Sequence, residues 1–214
     1  MFKGVVPAIM VQILKDEIKD AITAAALKIF LKMGFKKATI AKIAQEADIS
    51  TGNIYRYFKN KNDLFSSIIS PDFVHNLRTL LKSRMEAVSG VSDINTLKKD
   101  AAYFKISDEL LALCLRNKEK TIILFDRSQG TQYEGFSMET VSMMVELAVK
   151  HAKSVNSNFV LTEEKRAVLL LIYKSFLRNI IEILATYEDT DKITSILSNY
   201  TAYHLAGLKR YFSG

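Results

Sequence analysis

Residues 39–64 read TIAKIAQEADISTGNIYRYFKNKNDL. Thr39 can cap a helix whose Ile40, Ile43, Ala44 and Ala47 form one apolar stripe, because residues three and four apart share a helix face. Asp48-Ile49-Ser50 breaks that helix. Ser50 can cap a very short helix reaching Tyr57, and Asn60 a further one, with Asp63 at its third position completing a pair like a capping box. Two short helices joined by a three-residue turn bury little surface alone, so a longer neighbour must brace them. Ile18, Ile22, Ala25, Ala26, Ile29, Phe30 and Met33 mark that neighbour. They recur at three- and four-residue steps, and the helix they define ends at Gly34, a residue suited to the position after a C-terminus. Phe35-Lys36-Lys37-Ala38 follows as a short basic link. The pattern predicts a three-helix module with Ile22, Ala26 and Phe30 facing the short pair.

The chemistry concentrates in the short helix opened by Ser50. Ile54 is its apolar anchor, which leaves Thr51, Gly52, Asn53, Tyr55, Arg56 and Tyr57 on or near the exposed arc. Small and polar residues at a helix start, followed by Tyr, Arg and Tyr, suit a helix inserted end-on into a DNA major groove. Gly52 permits close approach to the duplex, and the free amides of the first turn favour phosphate. Tyr55 and Tyr57 can donate to phosphate oxygens that Lys59 and Lys61 neutralise. Charge agrees with this placement. The formal net charge is +7, and residues 1–70 hold eleven Lys and Arg against six Asp and Glu, so most of the excess lies in the first third. Clustered cations of this kind gain by displacing counterions from a polyanion.

The same run, with Ala24-Ala25-Ala26-Leu27-Lys28-Ile29-Phe30 and Gly34-Phe35 before it, resembles the N-terminal DNA-binding domain of the TetR family of bacterial transcriptional regulators. The family pattern T-[IV]-x-x-I-A-x-x-A-x-[VI]-S-x-G-x-[IFL]-Y-x-[YH]-F-x-[NS]-K-x-x-L is matched without a gap over Thr39 to Leu64. Asn62 departs from it, standing where an acidic residue is common, and the apolar extension Val5 to Leu14 has no counterpart in it. The resemblance covers roughly residues 15 to 65. It implies that Thr39, Tyr55, Tyr57 and Lys61 touch the sugar-phosphate backbone and that Thr51, Gly52, Asn53 and Arg56 face base edges. Lys42, Ser50 and Lys59 complete the candidate DNA-contacting set. It further implies a cytoplasmic repressor that grips a palindromic double-stranded DNA operator as a homodimer and is released by a small-molecule effector.

The remaining two-thirds reads as helix throughout. With 49% apolar residues, two prolines and eight glycines in 214 residues, the expected fold class is all-α: a DNA-binding domain over 1–64 with an N-terminal extension, then a larger helical ligand-binding and dimerisation domain over 65–214. Leu169, Ile172, Tyr173, Phe176, Leu177, Ile180, Ile181 and Leu184 form a stripe too wide for one packing partner. Ile193, Ile196, Leu197, Tyr200, His204, Leu208 and Tyr211 repeat it. Two such helices from each of two chains would make a four-helix bundle, with Leu169, Phe176, Ile180, Leu184, Leu197, Tyr200, His204 and Leu208 as its interface. Phe104, Leu113, Phe125, Tyr133, Met143, Met144 and Phe176 are the candidates for an apolar effector pocket.

Other function classes find little support. The lone Cys114 permits no intrachain disulfide and reads as a small buried hydrophobe. His75, His151 and His204 are isolated, and no glycine-rich phosphate loop, GxSxG or HExxH is present, so neither catalysis, a metal nor a cofactor is expected. Val5 to Leu14 runs into Lys15-Asp16-Glu17 without a small-residue cleavage site, which argues against a signal peptide. The longest later apolar run, Ala167 to Tyr173, is far short of the roughly 20 residues that span a bilayer, and no membrane partner is expected.

Overall fold

The computed structural model describes residues 8–91, 96–98 and 100–213, with side chains from Lys15 onward. The Val5 to Leu14 side chains thus lie outside the described residues. Every regular element among the described residues is helical: α1 (Ala8–Lys37), α2 (Ile40–Glu46), α3 (Thr51–Tyr57), α4 (Lys61–Ile68), α5 (Pro71–Glu86), α6 (Ala102–Arg116), α7 (Lys118–Ile122), a π-helical turn at Ile123–Arg127, α8 (Phe136–Val155), α9 (Glu163–Thr186) and α10 (Thr190–Ser213). No helix among them is long and apolar enough to cross a membrane.

α1 buries Ile22, Ala25, Ala26, Ile29 and Phe30 against α2 and α4, the face that its spacing predicts. Gly34 breaks it with φ 75° and ψ 160°, a backbone region essentially confined to glycine. Phe35 to Lys37 then continue as a helical turn, closed by the Ala38 amide donating to the Gly34 carbonyl at 3.1 Å, where the sequence suggests only a link. The Phe30, Phe35 and Phe65 rings meet at centroid distances of 5.1 to 5.6 Å. The Phe65 ring meets both others edge-on, while Phe30 and Phe35 are tilted at 41°, and edge-on pairs add about 0.5–1.5 kcal/mol each beyond the area they bury.

This core does not stop at Leu64, where the sequence places a domain boundary. Phe65, Ile68 and Ile69 join it, as do Phe73, Val74 and Leu77 of α5, Ile123 and Leu124 of the π-helical turn, and Phe136 at the start of α8. The buried face of α4 therefore belongs to the same cluster as α5 and the π-helical turn. A second cluster joins α8 and α9 to the end of α10 through Val145, Ala148, Leu169, Tyr173, Leu208 and Phe212, and a third holds Ile122, Ile181, Leu184 and Ile193. Phe125, half-buried in the π-helical turn, packs against all three.

Candidate nucleic-acid interface

Each short helix of the reading head starts where its capping residue says it should. Thr39, Ser50 and Asn60 accept the amides of Lys42, Asn53 and Asp63 at 3.2, 3.3 and 2.9 Å. Asp63 Oδ2 in turn accepts the Lys59 amide at 2.9 Å, one residue earlier than in a strict capping box. The turn between α2 and α3 passes through Asp48 at φ 55°, the left-handed conformation that Asp tolerates better than most residues. Ile54 is fully buried and Phe58 nearly so, which pins α3 by one face and its end.

That packing turns the predicted residues outward. Thr51, Gly52, Tyr55, Arg56 and Lys59 are exposed, Asn53 and Tyr57 half-buried, and Thr39, Lys42 and Ser50 exposed beside them. Tyr55 stands 56% exposed, among the few large apolar-bodied residues left uncovered. A Cβ built on Gly52 would meet only the Ser50 hydroxyl, at 3.8 Å, so the α3 surface there is open to a close-approaching partner. On the far side of α2, Glu46 is paired with Lys28 of α1, which leaves that carboxylate neutralised.

Lys61 is placed differently from the phosphate-neutralising role that the sequence suggests for it. Its Nζ donates to the carbonyls of Phe35 and Ala38, both at 2.8 Å, and lies 4.2 Å from the centre of the Phe35 ring. The ammonium is half-buried at the C-terminal end of α1, where a cation meets the negative end of the helix dipole, and desolvation lowers its pKa. Lys61 therefore clamps α4 to the α1–α2 corner. The contact joins positions 26 and 23 apart in sequence, and no local pattern could have announced it.

In the larger part of the chain the sequence-derived sites are dispersed. Phe104 is edge-on to Tyr103 at 5.3 Å, Leu113, Phe125 and Tyr133 pack on the first core cluster, and Met144 and Phe176 are buried. Met143 alone of the set lines a shallow cleft, with Arg78, Glu139 and Thr140. The seven candidates come from α6 (Phe104, Leu113), the π-helical turn and the loop after it (Phe125, Tyr133), α8 (Met143, Met144) and α9 (Phe176). The interface candidates also need correction. Leu169, Phe176, Leu184 and Leu208 are buried within the protomer, since α8 and the facing helices cover the stripe from inside. Ile180, Leu197, Tyr200 and His204 are half-buried. The uncovered apolar residues on α9 and α10 are instead Val168, Leu171 and Tyr203, at 38%, 66% and 77% exposure. Cys114 is half-buried, and desolvation pushes its thiol pKa up to about 12, which disfavours the reactive thiolate.

Comparison with known proteins falls on the reading head. A family model described as bacterial regulatory proteins of the TetR family matches residues 22–68. The HTH-type transcriptional regulator HbdR of an Aromatoleum species is 45% identical over 51 residues, which are 24% of this chain and 22% of that protein. The HTH-type transcriptional repressor BepR of Brucella suis is 42% identical over 53 residues, a quarter of each chain. The matches span between about a fifth and a half of these and similar relatives' lengths. A solved transcriptional regulator of the TerR/AcrR family from Aquifex aeolicus aligns over 87% of this chain and 98% of its own, at 18% identity and a TM-score of 0.48. Caps, buried anchors, exposed arc and family match coincide on one segment, residues 22–68, which is similar to the helix-turn-helix domain of the TetR family of bacterial regulatory proteins.

Proposed function

We propose that this chain is a ligand-responsive transcriptional regulator, a repressor that binds a palindromic operator as a homodimer and leaves it when a small-molecule inducer binds. The observation that carries this reading is the exposed arc of α3. Thr51, Gly52, Tyr55 and Arg56 stand free on a helix that Ile54 and Phe58 hold rigidly from behind. Such a helix supplies base contacts at its N-terminal residues while the flanking Thr39, Lys42, Tyr57 and Lys59 reach the sugar-phosphate backbone. Dimerisation through Val168, Leu171 and Tyr203 would set two heads one helical turn apart, about 34–36 Å. A ligand that favours a different separation shifts the population away from the binding form. Coupling between head and body has a material route: the π-helical turn packs on α1, and Gly130 lies against the Phe35 ring, where an added Cβ would come within 3.6 Å.

Sheared genomic DNA and anionic lipid vesicles, offered to the purified chain in parallel, test the reading. DNA binding is expected to win and to weaken by roughly 0.9 log unit per log unit of salt for each phosphate neutralised. Vesicle binding with no DNA retention would replace this reading by a membrane-surface role.

A further inference from the structure

The corner where α1 meets α2 and α4 carries four lysines, none of them in an ion pair among the described residues. Lys36 and Lys37 close the last turn of α1 and are exposed, while Phe35 and Ala38 on either side of them are buried. Lys42 reaches in from α2, its Nζ donating to Met33 Sδ at 3.6 Å, and Lys61 from α4, its Nζ on the Phe35 and Ala38 carbonyls. The acids of the neighbouring elements are committed elsewhere. Glu46 of α2 pairs with Lys28, and Asp63 of α4 accepts the Lys59 amide. Like charges collected without a counter-charge are the footprint of an anionic partner.

The backbone that carries Lys36 and Lys37 is held in place by its surroundings. The Phe35 ring meets Phe65 edge-on at 5.1 Å, and the Ala38 amide donates to the Gly34 carbonyl at 3.1 Å. Gly34 itself lies against the Arg127 backbone, where an added Cβ would come within 3.6 Å. The two side chains thus project from a fixed turn, and an anion bound there would not have to order the chain first. Lys61 adds an electrostatic effect. Carbonyls at a helix C-terminus carry partial negative charge, which repels phosphate, and here two of them are covered by the Lys61 ammonium. The corner also adjoins the proposed DNA face. Thr39 follows Ala38 directly, and the Lys37 Cα lies at most about 7 Å from that of Thr39. Phosphates recur about every 3.4 Å of axis along one strand, so a duplex touching Thr39 brings others within reach of a lysine.

We propose that Lys36 and Lys37 hold DNA phosphates beyond those met by α3 and its flanks, which makes the end of α1 part of the DNA interface. The proposal rests on the DNA-binding reading above. The competing role for two cations in a last helical turn is to steady the negative end of the helix, and measurement separates the two. Retention of sheared genomic DNA across a salt series is compared for the unaltered chain and three double variants, with thermal melting of each. Lys36→Gln with Lys37→Gln is expected to flatten the plot of log affinity against log salt by roughly 0.9–1.8, the share of one or two phosphates. It should weaken all sequences alike and leave the melting temperature near that of the unaltered chain. Lys36→Arg with Lys37→Arg keeps the charge and should keep the slope. Lys150→Gln with Lys153→Gln removes the same charge from exposed positions on α8 and should also keep it. An unchanged slope in the glutamine variant of the corner overturns the proposal, and a lowered melting temperature beside it assigns the pair to the helix end. An equal loss of slope in the α8 variant overturns it too, as an effect of net charge. DNA retention by the unaltered chain with no change in the corner variant removes this inference alone; no retention by the unaltered chain removes the DNA-binding reading and this inference together.

Discussion

At Lys61 the ammonium already gives two of its three N–H groups to the Phe35 and Ala38 carbonyls, leaving one for a phosphate. Lys61→Met should therefore act first on the protein. Two orphaned carbonyls and a lost cation–π contact are expected to cost about 1–3 kcal/mol, read as a lower melting temperature, with DNA affinity reduced for all sequences alike. The salt slope should fall by no more than the one phosphate that a single N–H can reach. A slope that drops by two or more, with an unchanged melting temperature, would return Lys61 to a purely electrostatic role. His204 carries a separate prediction. Its folded pKa of about 4 lies below the ordinary histidine value, so the unfolded chain takes up the proton first as pH falls. The contribution is intact near neutrality and is lost between about pH 6.5 and 4, amounting to about 2 kcal/mol by pH 5. His204→Phe should flatten the decline in melting temperature over that window, and a decline of unchanged steepness would refute the assignment.

Among the elements, α3 is the one whose order matters outside the fold. Ser50→Ala removes the hydroxyl that accepts the Asn53 amide and is expected to cost about 1 kcal/mol, fraying the first turn that carries Thr51, Gly52 and Asn53 and weakening DNA binding several-fold. Thr162 caps α9 in the same way, accepting the Lys165 amide at 3.3 Å, so Thr162→Ala should cost similar stability and leave DNA affinity alone. Gel shifts on both variants check the contrast. The caps at Thr39, Ser50 and Asn60 were legible in the sequence because each is settled within three residues, and so were the Gly34 break and the buried faces of α1 and α3, which follow helical periodicity. The reach of Lys61 to the α1–α2 corner was not, since it joins residues more than twenty apart. Nor was the fate of Leu169, Phe176, Leu184 and Leu208: periodicity states how wide an apolar face is but not which helix covers it. The π-helical turn at Ile123–Arg127 had no signal at all, as its extra residue per turn arises from packing against α1, α7 and α8.

For the whole molecule, the proposed function makes operator binding depend on a dimer. Leu171 is two-thirds exposed on α9, so Leu171→Glu should leave the protomer folded while converting a particle of twice the 24.2 kDa chain mass into a monomer by light scattering. Operator affinity should fall with it. An unaltered mass would move the interface elsewhere. The central claim, that the exposed arc of α3 reads base edges, is tested most directly by selecting bound fragments from random DNA with the unaltered chain and with Arg56→Ala. The account predicts two related half-sites for the unaltered chain, with base preference lost at one position of each in the variant, at about 1–3 kcal/mol per altered contact. Identical selected sequences bound with identical affinity by both chains would contradict it.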